Sequence, residues 1–266
     1  MSQTLLWPHA DRGTRIAALT FNGGPTMSLV TDQTLSAREF LDECIAFKRD
    51  NGPQSTFLRG LVTGKLTDEQ VTLWAKDFYY YVEPAIPTIA GWLSSAPTLP
   101  DREIYRLIAR NLAGEMGYIK EAEHHDLYLQ FCAGLGVTRA DLLDHLPLAS
   151  TVGAASTMGY YCRNSFEEGL GAFGLAVEME VPGRPNGAKV IHEGLKKHCR
   201  LDDTALEFWA IHMAAEEEHG ENAVKALEHC GQTREQQARI RRAFRFSVLA
   251  HAGMTEGYDR FLDRAH

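Results

Sequence analysis

The sequence predicts an all-α protein built as a single domain. Helix-start signals recur along the chain, and the segments between them carry apolar residues at i, i+3 and i+4, the spacing of amphipathic helices. No stretch reads convincingly as a strand, no internal repeat appears, and no linker separates two cores. The 266 residues, 44% of them hydrophobic, are enough for one sizeable core.

Capping boxes mark several helix starts, because an N-cap hydroxyl and a Glu or Gln three residues later satisfy each other's backbone N–H groups. Three such boxes begin at Ser36, Thr67 and Thr233. Further candidate N-caps are Asp101, Thr138 and Thr204. The predicted helices cover residues 36–50, 68–95, 101–117, 119–135, 148–179, 184–198, 204–229 and 233–263.

Residues 1–34 carry glycines and prolines without a clear period, which predicts an irregular N-terminal arm ahead of a helical domain of residues 35–266. The arm would pack on that domain or on a second subunit, so a homodimer is one open arrangement.

Composition excludes several classes of partner. With 27 basic and 35 acidic residues the net charge is -8, which argues against a nucleic-acid or anionic-membrane surface. The five scattered cysteines include no CxxC pair and fit a reducing cytoplasm. The N-terminus lacks the pattern of a signal peptide, and no run of about 18 apolar residues predicts a membrane span.

The most informative stretch is EFWAIHMAAEEEHGENAV at residues 207–224. His212, Glu216 and His219 stand at i, i+4 and i+7, so at about 100° per residue they fall within a sector of roughly 60° on one helical face. Two imidazoles and a carboxylate on one face indicate half of a site for a divalent transition metal. The alternative is a solvated acidic helix with two incidental histidines.

Other helices offer acids for the second half of such a site. Glu83 lies among aromatic residues and prolines, where an unpaired acid is expensive. The alternative is a Glu near the kink imposed by Pro87. Glu115 is flanked by Gly114 and Gly117, which suits a ligand on a segment that unwinds. A helix end with a glycine C-cap explains the same glycines more simply.

Two further ligands have close rivals in the sequence. His125 lies on the apolar stripe of its helix, whereas the adjacent His124 lies nearer the polar edge, so His125 is the favoured ligand. Glu178 ends a long apolar run of small residues and is favoured over Glu180.

The charges of this set balance. Four carboxylates and two divalent cations cancel, whereas four buried acids without a metal would repel one another. The three neutral imidazoles complete the shell without adding charge. The predicted ligands are Glu83, Glu115, His125, Glu178, His212, Glu216 and His219.

These stretches, taken in order, resemble the haem-oxygenase-like diiron oxidases and oxygenases. YYYVEPAIP around Glu83 looks like that family's aromatic helix, and VEMEVP around Glu178 looks like its Glu-x-Gln/Glu-x-Pro element. Glu115, with His125 ten residues later, is similar to its Glu-to-His segment. The spacing from His212 to His219 matches its His-x3-Asp/Glu-x2-His helix, with Glu where Asp is commoner. The resemblance covers about residues 36 to 260.

The resemblance implies a seven-helix bundle that holds two Fe(II) ions by the seven predicted ligands and activates O2. Such enzymes act on small, often amino-acid-derived substrates by N-oxygenation, desaturation or oxidative C–C cleavage. An external electron donor would restore the iron, because no flavin or iron–sulfur motif is present. The expected substrate contacts are the aromatic residues of the same helices, and a cation for a substrate carboxylate: Tyr80, Tyr118, Tyr128, Phe208 and Arg163.

Other functions stay open at this point. A ferritin-like diiron bundle would use His124 and leave His212 superfluous. A metal-free thiaminase-like enzyme would need a cysteine nucleophile, for which Cys162 is the candidate. A helical interaction or metal-storage protein would bind iron without turnover. Haem ligation from an early helix is excluded, because residues 10–120 contain no histidine.

Overall fold

A computed structural model describes residues 34–97, 102–119, 122–184 and 186–264 of the chain; for residues 214–221, 263 and 264 it describes the backbone alone. The predicted N-terminal arm, except its last residue, and the candidate N-cap Asp101 lie outside these ranges. Every regular element in the described part of the chain is helical, which confirms the all-α class.

Twelve α-helices are described, together with a π-helix and a terminal 3-10 helix. The first six are α1 (Ala37–Asn51), α2 (Thr56–Thr63), α3 (Asp68–Val82), α4 (Ala85–Ser94), α5 (Glu103–Glu115) and α6 (His124–Gly134). Next come α7 (Arg139–Leu143), α8 (Ala149–Asn164), α9 (Phe166–Gly169) and the π-helix (Leu170–Glu178). The last are α10 (Gly187–His198), α11 (Glu207–Cys230), α12 (Arg234–Gly257) and the 3-10 helix (Tyr258–Arg264).

Most of the predicted helix starts are correct. The capping boxes that begin at Ser36, Thr67 and Thr233 are all formed, and the Thr138 side chain caps α7. The start at Thr204 is wrong, because α11 begins three residues later at Glu207.

Two of the long predicted helices are interrupted. Residues 68–95 divide into α3 and α4 at Pro84, because proline has no N–H to continue the backbone hydrogen bonds. Residues 148–179 divide at Ser165, whose backbone is extended and whose side chain caps α9. Short helices α2 and α7 had not been predicted as separate elements. The expected haem-oxygenase-like bundle therefore contains more than the seven predicted helices, and several of them are short.

Large aromatic side chains fill the core. Around Trp74 of α3 lie Phe131 of α6 and Trp209 of α11, whose rings are 6.2 Å and 5.6 Å from it between centroids. A second cluster packs α1, α4 and α12 around the π-helix, with Phe40, Trp92 and Phe244 at its centre. Burial of aromatic surface on this scale is a major favourable contribution to folding.

Asp77 ties α3 to the start of α8. Its carboxylate is fully buried and accepts hydrogen bonds from the backbone N–H of Leu148, at 2.7 Å, and from the Thr151 hydroxyl. The bonds satisfy an otherwise uncapped helix start, because the N-cap residue Leu148 has no polar side chain. These bonds fix the position of α3 along its axis relative to α8. Tyr81 lies in the last turn of α3, and Glu83 follows its last residue.

The π-helix is held against α12 by close backbone contact. A Cβ added at Gly171 would lie 2.3 Å from the Ile240 carbonyl oxygen and 3.0 Å from the Phe244 nitrogen, so only glycine fits. The widened π turn then ends at Glu178, where the backbone becomes extended at Met179. This packing holds the start of the π-helix that carries Glu178 against α12.

Gly171→Ala should therefore lower the free energy of unfolding by about 1–3 kcal/mol, the usual cost of overpacking. Gly253→Ala is the matched control: Gly253 is an exposed helical glycine of α12 whose added Cβ would meet nothing within 4 Å. That variant should be neutral or stabilised by up to about 1 kcal/mol. Urea unfolding followed by circular dichroism measures both, and equal stabilities would contradict the packing argument.

Candidate metal centre

Three buried or half-buried side chains from three helices converge at one point. Glu115 is the last residue of α5, His124 is the first residue of α6, and His212 lies in the second turn of α11. One ligand atom from each lies within 4.8 Å of the others. Glu115 Oε2 and His124 Nδ1 are 2.8 Å apart, and the His124 and His212 rings are 4.8 Å apart between centroids. Such a set of donors suits a transition-metal ion.

The end of α5 explains one of the two glycines beside Glu115. Gly117 has a φ of 73°, and the backbone N–H of Tyr118 donates to the Ala113 carbonyl at 2.9 Å, a helix-ending pattern that favours glycine. The alternative of a glycine at the helix end is therefore correct for Gly117. Gly114 lies inside α5, and nothing in the structure explains why it is glycine.

His212 is oriented for metal binding through Nε2. Its Nδ1 lies 2.7 Å from the Phe208 carbonyl oxygen, which can only accept, so Nδ1 carries the proton and Nε2 has a free lone pair. A backbone carbonyl in this place is a common outer partner of metal-binding histidines. Burial lowers the pKa of His212, which favours the neutral imidazole that a metal requires.

The three ligands line a cavity of about 250 Å³. Glu83, His125 and Glu178 also line it, so five of the seven predicted ligands, Glu83, Glu115, His125, Glu178 and His212, meet at one cavity together with His124. The other lining residues are mostly apolar or aromatic, and among those described none is Lys or Arg. The apolar lining includes Phe78, Tyr81, Val82, Ile86, Met158, Phe173, Val177, Ile191, Phe208 and Trp209.

The choice between Glu178 and Glu180 is decided by the end of the π-helix. Glu178 is its last residue and is buried at the cavity. Glu180 is exposed, and its carboxylate accepts a hydrogen bond of 2.6 Å from Asn186. Glu178 is thus the acid that faces the cavity, as the sequence pattern indicated.

The structure places the two adjacent histidines in different surroundings. His124 is almost fully buried beside Glu115 and His212, whereas His125 is half-buried with Nε2 3.4 Å from the Tyr79 hydroxyl. The preference for His125 took Leu129 and Leu135 as markers of the buried face, but both are only half-buried. Tyr128 and Phe131, four and seven residues after His124, are fully buried, so His124 lies on the buried face of α6.

Glu216 and His219 lie in α11, one and two turns after His212, as their spacing predicted. Their side chains are outside the described residues.

Most of the expected substrate contacts lie away from the cavity. The Tyr80 hydroxyl donates to the carbonyls of Leu142 and His145, and Tyr128 is buried with its hydroxyl donating to the Ala75 carbonyl. Tyr118 is 77% exposed. Phe208 alone of the predicted aromatic contacts lines the cavity.

Arg163 likewise points elsewhere. Its guanidinium donates to the carbonyls of Gly159, at 2.8 Å, and Pro87, at 3.1 Å. It therefore joins α8 to α4 at the surface instead of facing the metal ligands.

Sequence reasoning missed a tyrosine–histidine pair at the cavity wall. The Tyr81 hydroxyl is hydrogen-bonded to His251 Nε2, and His251 Nδ1 lies 2.8 Å from the Ser247 carbonyl oxygen. The two residues are 170 positions apart, so no local pattern could have indicated the contact.

Comparison with known proteins agrees with this geometry. A family model described as "iron-containing redox enzyme" matches residues 72–263. The chain belongs to the iron-containing redox enzyme family. The predicted class, an iron-containing oxidoreductase, is thereby confirmed. The donors at the cavity fit this metal, since the site offers neutral imidazole and buried carboxylate together.

Two relatives share part of the sequence of this chain. A protein of Nitrosomonas europaea named 4-aminobenzoate synthase is 29% identical over 72% of this chain and 79% of its own length. A protein of the same name from Chlamydia trachomatis is 30% identical over 54% of this chain, and the match spans only 60% of that relative.

The solved structures confirm the fold. A Shewanella denitrificans domain with a haem oxygenase-like fold aligns with a TM-score of 0.64 at 17% identity, over 86% of this chain and 89% of its own. A TenA homologue of Pseudomonas syringae aligns at 0.66 and 15%, over 88% of this chain and 98% of its own.

Two further observations bear on the alternatives. Burial raises the pKa of the Cys162 thiol to about 12, so this cysteine is a poor nucleophile for a thiaminase-like reaction. In the described part of the chain, no helix combines the length and apolar character needed to cross a bilayer.

Iron-free protein should show the effect of His251 on stability. Burial lowers the pKa of His251 from 6.5 to about 4. A lowered folded-state pKa stabilises the fold above the unfolded pKa, and this stability is lost as the pH falls from about 6.5 toward 4.

The wild type should lose on the order of 1–3 kcal/mol more than His251→Gln across that window. His229→Gln, at an exposed position of α11, is the control and should follow the wild type. Urea unfolding at stepped pH measures the difference; parallel curves for wild type and His251→Gln would contradict it.

Proposed function

We propose that this enzyme uses two iron ions and O2 to oxidise a small aromatic, amino-acid-derived compound. The single observation that carries the proposal is one cavity in which a buried Glu–His–His cluster faces a wall of aromatic side chains. The relatives named 4-aminobenzoate synthase support an aromatic compound as substrate or product.

The proposed metal ligands are Glu83, Glu115, His124, Glu178, His212, Glu216 and His219, with His124 in place of His125. Glu115 and Glu178 would supply charge that two iron ions neutralise, and their burial makes this neutralisation favourable. His212 would bind through Nε2, held in orientation by the Phe208 carbonyl. When bound, the iron pair would supply the electrons and the template for reaction with O2.

The aromatic wall would position the substrate. Phe208 and Trp209 of α11 meet edge-to-face, with centroids 5.1 Å apart, and Phe78 of α3 stacks on Trp209 at 5.8 Å. A flat ring would fill this space by stacking, and the surrounding side chains would exclude water from the reacting atoms. A charged substrate group would have to reach the metals, because the described wall offers no cation.

Several finer properties stay predictions. A cytoplasmic location is consistent with five free cysteines. A homodimer is one arrangement that the proposal allows. An external electron donor would restore the iron after each turnover.

The adjacent histidines provide a matched test of the ligands. His124→Asn should lose at least half of the bound iron and its O2 consumption, because a buried ligand is removed. His125→Asn should retain both, since His125 sits by Tyr79. Anaerobic Fe(II) loading followed by metal counting measures the difference. Full iron occupancy in His124→Asn would contradict the assignment of His124 as a ligand.

A second test concerns the aromatic wall. Ile191→Phe would fill part of the cavity and should reduce turnover at least tenfold while iron content stays unchanged. Glu193→Phe, at an exposed position of the same helix, is the control and should behave as the wild type.

The assay for that test is O2 uptake with mass analysis, against aromatic amino acids, their amines and 4-hydroxybenzoate. A mass gain of about 16 indicates oxygenation, a loss of about 2 desaturation, and a lost fragment cleavage. Iron-loaded protein that consumes O2 with none of these compounds would contradict the proposed substrate class.

A further inference from the structure

We propose that Tyr81 is a redox-active residue that donates one electron to the iron site, with His251 as the acceptor of its phenolic proton. The inference rests on the proposed function, because the oxidant is iron that has reacted with O2. It adds a protein-based electron donor to the site.

The first support is position. Tyr81 lies in the last turn of α3, two residues before Glu83, and lines the same cavity as Glu115, His124 and His212. No other tyrosine lines this cavity among the described residues. An electron from Tyr81 would therefore reach iron held by these residues across one shared cavity.

The second support is the direction of the hydrogen bonds. The Ser247 carbonyl can only accept, so His251 Nδ1 carries the proton and donates to it at 2.8 Å. In the neutral ring Nε2 is then an acceptor, and the Tyr81 hydroxyl donates to it. The phenol is aimed at a base that can take its proton without any movement of the backbone.

The third support is the surroundings of the pair. The rings of Tyr81 and His251 are nearly perpendicular, at 85°, with centroids 5.1 Å apart, and the Tyr81 hydroxyl lies 3.8 Å from the Met158 sulfur. The low pKa of His251 agrees with a neutral acceptor before the reaction. A tyrosine without such a partner would have to release its proton into an apolar wall, which is costly.

The step balances as a proton-coupled electron transfer. The O–H bond of Tyr81 breaks; its electron reduces the oxidised iron by one unit, and its proton forms an N–H bond on His251 Nε2. The products are a neutral phenoxyl radical and an imidazolium. A one-electron reductant from outside the chain then restores the phenol, with return of the proton from His251.

The test uses the full chain, loaded with Fe(II) without air, mixed with O2 in the absence of substrate and freeze-quenched for electron paramagnetic resonance. Wild type should give an organic radical whose spectrum narrows in protein made with deuterated tyrosine. Tyr81→Phe should lose at least nine-tenths of this signal at unchanged iron content. His251→Gln, which keeps a polar partner but removes the base, should lose most of it, and ascorbate should quench the wild-type signal.

Tyr79→Phe is the matched control. Tyr79 is also on α3 and its hydroxyl also faces a histidine, at 3.4 Å from His125 Nε2, but it does not line the cavity. Its variant should keep the wild-type signal. A signal that persists in Tyr81→Phe, or O2 consumption by fully loaded wild type without any tyrosine radical, would overturn the inference. Failure to bind iron or consume O2 would instead overturn the proposed function.

A second readout needs no metal. In iron-free protein, nitrogen-15 NMR should show His251 with its proton on Nδ1, and Tyr81→Phe should shift the Nε2 resonance whereas Tyr79→Phe should not. A proton on Nε2 of His251 in the wild type would also overturn the inference.

Discussion

Carboxylates and imidazoles buried in an apolar cavity impose the main physical constraint on this fold. Glu115 and Glu178 are each less than a tenth exposed, beside a wall of aromatic and aliphatic groups. Carboxylates in such surroundings must be protonated, paired or bound to a metal. Glu115 is paired with His124 at 2.8 Å, and the neutral tautomer of His212, fixed by a backbone carbonyl, leaves Nε2 able to bind a metal. The surrounding helices hold the two carboxylates at one cavity despite the repulsion between their negative charges.

Helix ends provide most of the ligand positions. Glu83 follows the last residue of α3, Glu115 closes α5, His124 opens α6 and Glu178 closes the π-helix. Two of these ends have a clear local cause: Pro84 after the first and the left-handed Gly117 after the second. A side chain at a helix end can leave the strict helical spacing, so ligands from separate helices reach one point.

Only α11 contributes its ligand from within a helix. His212 lies in its second turn, and the spacing to Glu216 and His219 is regular. The same helix places Phe208 and Trp209 at the cavity, one turn earlier. The proposed metal site and substrate wall thus share α11, and a change in this helix would alter both. The Tyr81–His251 pair closes the wall from α3 and α12.

The sequence by itself determined the all-α class, four helix caps, the family and five acidic or histidine residues that line the cavity. These features rest on local periodicity, on N-cap chemistry and on charges that need compensation, all of which short stretches encode. Only the tertiary structure showed that His124 lies beside Glu115 and His212, because the buried face of α6 depends on the helices that pack against it. It also showed that Arg163 and Tyr80 lie away from the cavity and that Tyr81 is hydrogen-bonded to His251. Contacts between distant helices follow from packing and not from spacing along the chain.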